Sequence, residues 1–246
     1  MTAPLFLLPP GSLAGVTPGA SVLVDGPEGR HAAGSLRLQR GEAVLLSDGS
    51  GAEVAGSVST VASGEITVRV ETVCRPAAPT PRFVLVQALA KGDRDEQAIE
   101  SATELGVDEV VPWGAARSIV QWRGDRAAKA HRKWEQVVAA AAKQSRRHRT
   151  PSVAEHETSR QLAGRLACAS LALVLHEDAT TSVNDVELPG SGEVVVVVGP
   201  EGGISAEELA TFEEAGARAI RLGPHVLRSS SAGPAALAVL LARTRW

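Results

Sequence analysis

The sequence predicts an α/β protein in which a small β-rich part precedes a larger part built on a mostly parallel sheet. Two observations predict this. Short alternating apolar runs fill the first 74 residues, whereas apolar runs alternate with helical patterns from Pro81 onward. Between them, Arg75–Pro81 contains three prolines in seven residues, which neither a helix nor a central strand accommodates. We therefore expect one domain at residues 1–74 and a second at residues 77–246.

Four short strands are predicted in the N-terminal part: Ser21–Val24, Ala43–Leu46, Glu53–Val58 and Ile66–Val70. Turn signals such as Asp48-Gly49 and Ser63-Gly64 separate them. A small barrel or sandwich is the natural architecture for such short, closely spaced strands.

Strands and helices alternate in the C-terminal part. The predicted strands are Phe83–Ala88, Glu109–Pro112, Leu171–Leu175, Val194–Val198 and Ala219–Leu222. The predicted helices are Asp93–Leu105, Ala127–Ser145, one from Ser205 through Gly216, and Ala235–Ala242. Ser205 and Glu208 have the spacing of a capping box, which marks the start of the third helix.

The composition is that of an ordinary globular protein, because 44% of the 246 residues are hydrophobic and 22% are charged. Only two cysteines are present, Cys74 and Cys168, and no Cys/His spacing suggests a metal site. We expect both to be reduced, buried thiols in a cytoplasmic protein. The apolar runs are too short to span a membrane, and no basic residue precedes the apolar N-terminus, so we predict no membrane segment and no signal peptide.

Positive charge is concentrated in one segment. Residues 117–149 hold ten Lys or Arg against two acids, a net charge of +8 in a chain whose total is −3. This concentration favours a polyanionic partner such as RNA, although a solvated basic helix gives the same pattern.

Two glycine-containing turns are the most informative local features. Val194–Gly203 reads as a buried strand that runs into Gly-Pro-Glu-Gly-Gly, and Leu222–Gly233 carries a second Gly-Pro turn after the last strand. Ligands of open α/β folds bind at the carboxyl ends of strands, so two such turns after neighbouring strands are expected to face one pocket. Taken alone, the first turn is better explained as a plain strand-to-helix turn. The second is explained equally well as the start of a helix capped by serine, with Arg228 on the surface.

Several common chemistries find no support. Neither turn matches the dinucleotide or P-loop phosphate pattern, and there is no hydrolase nucleophile elbow or HExxH motif. Group transfer from a bound organic donor is the class of reaction that these absences favour.

Taken together, the ordered motifs resemble the RsmE family, SPOUT-class methyltransferases that act on N3 of a uridine in small-subunit ribosomal RNA. The motifs are Gly29-Arg-His31, Leu36-Arg37, Lys91-Gly-Asp-Arg94, residues 102–112, Arg117-Ser118, Gln144–Arg147, Pro151, Gly199–Gly203 and Leu222–Arg228. They span nearly the whole chain in the family's order.

The resemblance implies a C-terminal trefoil-knot α/β methyltransferase domain, a small N-terminal PUA-like RNA-binding β-barrel and a homodimer. It implies S-adenosyl-L-methionine as cofactor and 16S ribosomal RNA of the small subunit as partner, with no metal. The implied cofactor-binding residues are Leu175, His176, Gly199, Pro200, Glu201, Gly202, Gly203, Leu222, Gly223, Val226 and Leu227. The implied RNA-binding residues are Arg30, His31, Arg37, Arg117, Arg146, Arg147 and Arg149.

Arg228 and Glu201 are the candidate catalytic residues. A cation beside a uracil carbonyl stabilises the charge that develops when the imide proton leaves, and Arg228 is placed to supply it. Glu201 is a candidate acceptor of that proton. The alternative that it only shapes its loop is equally good, and water is then the acceptor. Methylation of N3 needs an unpaired or extruded uridine, which Trp122 or an arginine plane can stack.

The chain departs from the family pattern at two positions: Ser230 stands where a glutamate is common, and Ser101 where a lysine often precedes Ala-Thr-Glu-Leu-Gly. No role of that glutamate carries over to this chain. Two alternatives remain: a SPOUT enzyme that modifies another base or a ribose, and a non-catalytic RNA-binding assembly factor.

Overall fold

The computed structural model describes residues 3–246, which divide into two compact units. The first unit is the N-terminal part through Ala78 together with Ala142–Thr150. The second is Pro79–Ala141 together with Pro151–Trp246. The division after Ala78 lies within the proline-rich segment, but nothing in the sequence pattern indicated that Ala142–Thr150 belongs to the first unit.

The first unit contains one five-stranded sheet. Its elements are β1 (Leu5–Leu7), β2 (Ser21–Val24), α1 (Gly26–Arg30), a π-helical turn at His31–Ser35, β3 (Ala43–Ser47), β4 (Glu53–Ala62) and β5 (Glu65–Cys74). The strand order is β1-β3-β4-β5-β2, parallel between β1 and β3 and antiparallel elsewhere. The four predicted strands are confirmed, whereas β1 was missed. Within the described residues the pairing path ends at β1 and β2.

One face of this sheet forms the core of the first unit. The buried side chains of each strand are separated by an even number of positions. They include Val54 and Val58 in β4, and Ile66 and Val68 in β5. Successive side chains of a strand point to opposite faces, so this spacing places an apolar face inward.

The second unit alternates strands and helices. Its elements are β6 (Arg82–Ala88), α2 (Arg94–Leu105), β7 (Glu109–Gly114), α3 (Asp125–Gln144, ending in the first unit), β8 (Ser152–Val153), β9 (Glu157–Thr158), α4 (Ser159–Cys168), β10 (Leu171–Leu175), β11 (Glu193–Val198), α5 (Ala206–Glu214), β12 (Arg218–Ile220) and α6 (Ser229–Ala242). A 3-10 turn at Val183–Asp185 precedes β11. All the predicted strands and helices of this part are present, and α4, β8 and β9 were missed.

The sheet of the second unit is parallel throughout, with strand order β12-β10-β11-β6-β7-β8 and β9 paired to β7. Both of its faces are buried. Val194 and Val196 pack into a cluster with α2, α3 and α6, whereas Val195 and Val197 pack into another with α4 and α5. Coverage on both faces is why this strand reads as an uninterrupted apolar run.

Strand β10 lies between β11 and β12. The expectation that the two glycine turns follow neighbouring strands is therefore wrong. Because the three strands are parallel, their carboxyl ends nevertheless share one edge of the sheet. A further expectation also fails: Cys74 and Cys168 are free but exposed, since each stands at the end of its element rather than on an inward-facing position. Among residues 3–246, no helix has both the length and the apolar character needed to cross a membrane.

Candidate functional site

A cavity of about 770 Å³ opens at the carboxyl edge of the second unit's sheet. Its walls are the segments that follow β10, β11 and β12, which is where open α/β sheets bind ligands. The volume lies within the range of small-molecule and cofactor sites. The residues that line it include Arg94, Arg117, Leu175, His176, Glu177, Asp178, Val198–Ile204, Ile220–Leu227, Arg228 and Ser229.

The first wall is the turn after β11, and its glycines are required by geometry. A Cβ on Gly199 would lie 2.7 Å from Cγ1 of Ile204, and one on Gly202 would lie 3.2 Å from Cβ of Arg117. Gly203 has φ +72°, a conformation that side chains other than glycine seldom adopt. The turn therefore presents bare backbone to the cavity.

Two arginines from other segments of the chain hold this turn in place. Arg94 Nη1 donates to Glu201 Oε1 at 2.9 Å, and the amide of Lys91 donates to the same oxygen at 3.2 Å. Arg117 Nη1 donates to the carbonyl of Gly202 at 3.0 Å. The loops after β6 and β7 thus hold the turn after β11.

The carboxylate of Glu201 is engaged in these contacts. Burial alone would raise the pKa of Glu201, but hydrogen bonds from its own backbone and from Lys91, together with the Arg94 guanidinium, lower the pKa below its ordinary value of 4.5. A carboxylate of this kind is a weak proton acceptor at neutral pH, and its contacts favour a role in holding the loop.

Glu208 is a buried anchor behind the same turn. Its Oε1 accepts from the amide of Ala116 and from Ser159 Oγ, each at 2.7 Å, and its Oε2 accepts from the amide of Ser205 at 3.1 Å. Burial opposes ionisation, but the hydrogen bonds from Ser159, Ala116 and Ser205 lower the pKa of Glu208 below 4.5. The predicted capping box is confirmed, and the same carboxylate also fixes the loop that carries Arg117.

The second wall is the loop after β12. The backbone amides of Leu222, Gly223, His225, Val226 and Leu227 donate to no acceptor within residues 3–246. A Cβ on Gly223 would meet no atom within 4 Å. This loop therefore offers several hydrogen-bond donors and open space to a ligand.

Arg228 occupies the N-cap position of α6 with extended backbone, at φ −65° and ψ 151°, and its side chain makes no capping hydrogen bond. Its side chain is exposed on the cavity lining and makes no hydrogen bond or ion pair with any other described residue. The adjacent Ser229 is buried, and its Oγ lacks a hydrogen-bond partner among the described residues. The cavity thus combines a free guanidinium with an unpaired hydroxyl.

The third wall follows β10. The amide of His176 donates to the carbonyl of Ile220 at 3.0 Å, which ties this wall to the last residue of β12. Nδ1 of His176 accepts from the amide of Asp178 at 3.3 Å. Glu177 and Asp178 add negative charge to a wall that is otherwise apolar at Leu175.

The structure brings every residue predicted to bind cofactor to this one cavity, together with Arg228 and Arg117. The remaining predicted RNA-binding residues lie in the first unit. Trp122 is absent from the cavity lining. Sequence reasoning missed Arg94 and Glu208 as supports of the site, although Glu208 was visible as a helix cap.

The predicted RNA-binding residues of the first unit differ in their solvent exposure and in the contacts that they make within the protein. Arg30 and His31 are exposed, as is Arg37, whose backbone has φ 52°. Arg146 is exposed, with φ 58°. Arg149 packs over Gly51, where an added Cβ would lie 2.3 Å from its Nη2, so its guanidinium already has a structural contact. Arg147 is half-buried.

The arrangement suits an organic ligand with both apolar and polar parts. Bare glycine backbone, unpaired amides and apolar side chains line one concavity, which is the usual composition of a cofactor site. No cluster of three or more His, Cys, Asp or Glu side chains with metal-binding geometry occurs in the described part of the chain.

Comparison with known proteins places this architecture among methyltransferases. Residues 77–241 match the RNA methyltransferase domain family. A relative from Mycobacterium bovis, named ribosomal RNA small subunit methyltransferase E, is 43% identical over 233 residues, covering 93% of this chain and 89% of the relative. A relative of the same name from Bacillus subtilis is 27% identical and covers 90% of each chain.

Solved structures agree with the sequence relatives. The crystal structure of ribosomal RNA small subunit methyltransferase E from Neisseria gonorrhoeae bound to S-adenosyl methionine aligns with a TM-score of 0.86 and 27% identity, covering 99% of this chain and 98% of that chain. A Legionella pneumophila methyltransferase in complex with the same cofactor aligns with a TM-score of 0.85 and 29% identity, with the same coverage. The shared fold is a mixed α/β methyltransferase fold.

Proposed function

The chain belongs to the RNA methyltransferase family, and from this premise we propose that it transfers a methyl group from S-adenosylmethionine to N3 of a uridine in 16S ribosomal RNA. The observation that carries the proposal is that both glycine turns line the same cavity at the carboxyl edge of a parallel sheet. The names of the relatives support ribosomal RNA of the small subunit as the substrate. The resemblance to the RsmE family supports uridine N3 as the methylated atom.

The residues present fit S-adenosylmethionine. A cavity of about 770 Å³ accepts a molecule of this size, and the unpaired amides of the Leu222–Leu227 loop supply donors for its polar atoms. Gly199, Gly202 and Gly203 allow close approach to backbone, and Leu175 and Leu222 supply apolar contact. The buried, unpaired Oγ of Ser229 is a further group that a ligand could satisfy.

When bound, the cofactor supplies a methyl group already activated on a sulfonium centre. The work of the chain is therefore to position the uridine and to stabilise charge at its ring. The unengaged guanidinium of Arg228 is suited to donate to a uracil carbonyl as the imide proton leaves. It remains charged at any working pH, and its forked donors fix direction as well as charge.

We assign Glu201 a positioning role, with water as the proton acceptor. Its carboxylate is held by Arg94 and by the Lys91 amide, and its pKa is lowered, so it gains little by accepting a proton at neutral pH. Through these contacts it fixes the turn whose backbone faces the cavity.

The first unit is proposed to be the PUA-like, RNA-binding barrel of the family. Supporting this, Arg30, His31 and Arg37 are exposed around the π-helical turn, and Arg37 adopts a strained positive φ of the sort that clusters at functional sites. Arg146, Arg147 and Arg149 remain proposed phosphate contacts, and Arg149 Nη2 also donates to the carbonyl of Pro76 at 3.5 Å.

Three further properties follow from the same family assignment. We infer that the loops after β11 and β12 belong to a trefoil knot, that the enzyme acts in the cytoplasm, and that it is a homodimer. In support of the dimer, Val226 is 76% and Leu227 42% exposed beside the cavity, apolar surface that a second copy would cover. Light scattering of the purified protein tests the dimer.

Mass spectrometry of nucleosides tests the reaction itself. Ribosomal RNA from a strain that lacks the gene should lack one 3-methyluridine in its small-subunit RNA, and the purified protein with S-adenosylmethionine should restore it. Restoration of a ribose methyl group or of another methylated base would identify a different SPOUT activity. Full modification in the deletion strain would favour a non-catalytic assembly factor.

A further inference from the structure

A second, smaller concavity lies at the end of β7, apart from the cofactor cavity. Its volume is about 140 Å³, and its lining residues are Gly114, Ala115, Gln121, Trp122, Arg123 and His156. The indole of Trp122 and the imidazole of His156 lie 5.9 Å apart with an angle of 32° between their planes. Two aromatic rings, tilted against each other, therefore border this Trp122 pocket.

The rings are held in place from behind. Trp122 meets the buried Trp134 edge-to-face at 5.4 Å, and it meets His131 in the same way at 6.5 Å. A Cβ on Gly114 would lie 2.7 Å from Nε2 of His156, so the imidazole packs directly on backbone. Burial lowers the pKa of His156 below its ordinary value of 6.5, and the negative charge of Glu157 offsets only part of this shift. The ring is therefore uncharged at neutral pH.

A series of cationic side chains without ion-pair partners among the described residues extends from this pocket along α3. Arg123 lines it, and Arg126, Lys129 and Arg132 follow at three-residue intervals on the exposed face of α3, about 4.5 Å apart along the axis. None of the four makes an ion pair with any residue from 3 to 246. By contrast, Lys133 on the same helix pairs with Glu96 at 2.5 Å and with Asp93 at 3.6 Å.

On the basis of the RNA methyltransferase function proposed above, we propose that the Trp122 pocket binds an unpaired nucleobase that flanks the methylated uridine, while Arg126, Lys129 and Arg132 bind phosphates of the same strand. An aromatic stacking surface followed by a row of free cations matches single-stranded RNA in both shape and charge. A protein partner would not require four unpaired cations next to flat rings.

The position of the pocket favours a flanking base over the methylated one. Strands β7 and β11 are separated by β6 alone, so their carboxyl ends lie roughly 10 Å apart at the usual strand spacing. At about 3.4 Å per stacked nucleotide, this distance corresponds to about three nucleotides. Arg117, on the loop between β7 and the pocket, reaches the Gly202 carbonyl of the cofactor cavity and so links the two.

The phosphate contacts are tested by the double variant Lys129→Gln/Arg132→Gln. Its affinity for a single-stranded oligoribonucleotide containing the target uridine should fall, and the slope of log affinity against log salt should decrease by about 1.4, since each phosphate contact contributes about 0.7. The matched control is Arg160→Gln/Arg218→Gln, which removes two exposed cations without ion-pair partners among the described residues elsewhere on the second unit. If the two variants lose the same affinity and slope, only net charge matters and the proposal is wrong.

The base pocket is tested by a double-mutant cycle between protein and RNA. Oligoribonucleotides carrying one abasic site at successive positions around the uridine are titrated against wild type, Trp122→Leu and Arg123→Gln. At one flanking position, removing the base should weaken wild-type binding about tenfold and leave binding by Trp122→Leu unchanged. Arg123 is exposed, so its variant keeps the test usable if Trp122→Leu unfolds.

Additive effects at every position would overturn the assignment. A failure of this inference also differs from a failure of the proposed function. If wild type transfers methyl groups to the RNA but no position couples to the pocket, the inference alone fails. If wild type transfers none, the proposed function fails, whatever the binding data show.

Discussion

Replacing Glu208 by alanine should destabilise the second unit and loosen the cofactor cavity together. The buried carboxylate accepts hydrogen bonds from the Ala116 amide, from Ser159 Oγ, and from the amide and hydroxyl of Ser205. Alanine leaves all of these donors without their acceptor. The loop that carries Arg117 then loses its anchor one residue away from the guanidinium that holds Gly202.

The size of the effect follows from these contacts. Loss of the capping box costs about 1 kcal/mol. The two hydrogen bonds from Ala116 and Ser159 add about 1–1.5 kcal/mol each, at the upper end of the range for an ordinary intramolecular hydrogen bond. The sum, roughly 3–4 kcal/mol, corresponds to a fall in Tm of about 6–15 °C for a chain of this size.

Thermal unfolding of Glu208→Ala and of the control Glu207→Ala, followed by calorimetry, checks this expected loss of stability. Glu207 is also acidic and in the first turn of α5, but it is exposed, so the control removes the same charge from the same helix terminus. The control should lose less than about 1 kcal/mol. Equal losses in the two variants would refute the anchoring role, and so would a Glu208→Ala protein that binds S-adenosylmethionine as tightly as wild type.

The difference between wild type and Glu208→Ala also depends on pH. The folded-state pKa of Glu208 lies below its ordinary value of 4.5, so its ionised form stabilises the fold fully above that value. This contribution is lost as the pH falls through the folded-state pKa. The stability gap should therefore be constant near neutral pH and should narrow below pH 4.5, and a gap that widens on acidification would contradict the assignment.

Three substitutions in the cavity lining have distinct expected outcomes. Gly223→Val should leave Tm unchanged but weaken S-adenosylmethionine binding at least tenfold, whereas the control Gly190→Val, also in open space, should bind the cofactor normally. Normal binding by both variants would exclude the second wall from the cofactor site. Arg228→Ala should bind cofactor yet lose roughly 10²-fold in kcat, with partial recovery in Arg228→Lys; an unchanged single-turnover rate would exclude its catalytic role. Glu201→Gln should weaken cofactor binding several-fold and keep the single-turnover rate at saturation, while lost rate with unaltered Kd would make Glu201 the base.

The predicted elements of the second unit were recoverable because burial on both faces leaves a clear pattern. Val194–Val198 could only be a covered parallel strand, and Ser205 with Glu208 marked a helix start whose capping geometry is present. Helix α4 was missed because its buried positions reduce to Leu162 and Leu166, too few to show a period. Strands β8 and β9 are two residues each, below what any alternation can reveal.

The cavity residues were predictable, but their supports were not. Gly-Pro-Glu-Gly-Gly became informative through its place among the ordered family motifs, whereas its partners Arg94 and Arg117 lie 107 and 85 residues away in the sequence. Strand order is equally non-local, which is why β11 and β12 were wrongly expected to be neighbours. For the same reason, the unpaired cations of α3 could not be told from those, such as Lys133, that are neutralised by carboxylates of another segment.

In the proposed reaction, the cavity delivers a methyl group to uridine N3. The most direct measurement incubates unmodified small-subunit ribosomal RNA with the protein and S-adenosylmethionine carrying an isotopically labelled methyl group, then identifies the labelled nucleoside by mass spectrometry. We expect one labelled 3-methyluridine per RNA, with the yield strongly reduced for Gly223→Val and Arg228→Ala. Label in a ribose or in another base, or full labelling by Gly223→Val, would contradict it.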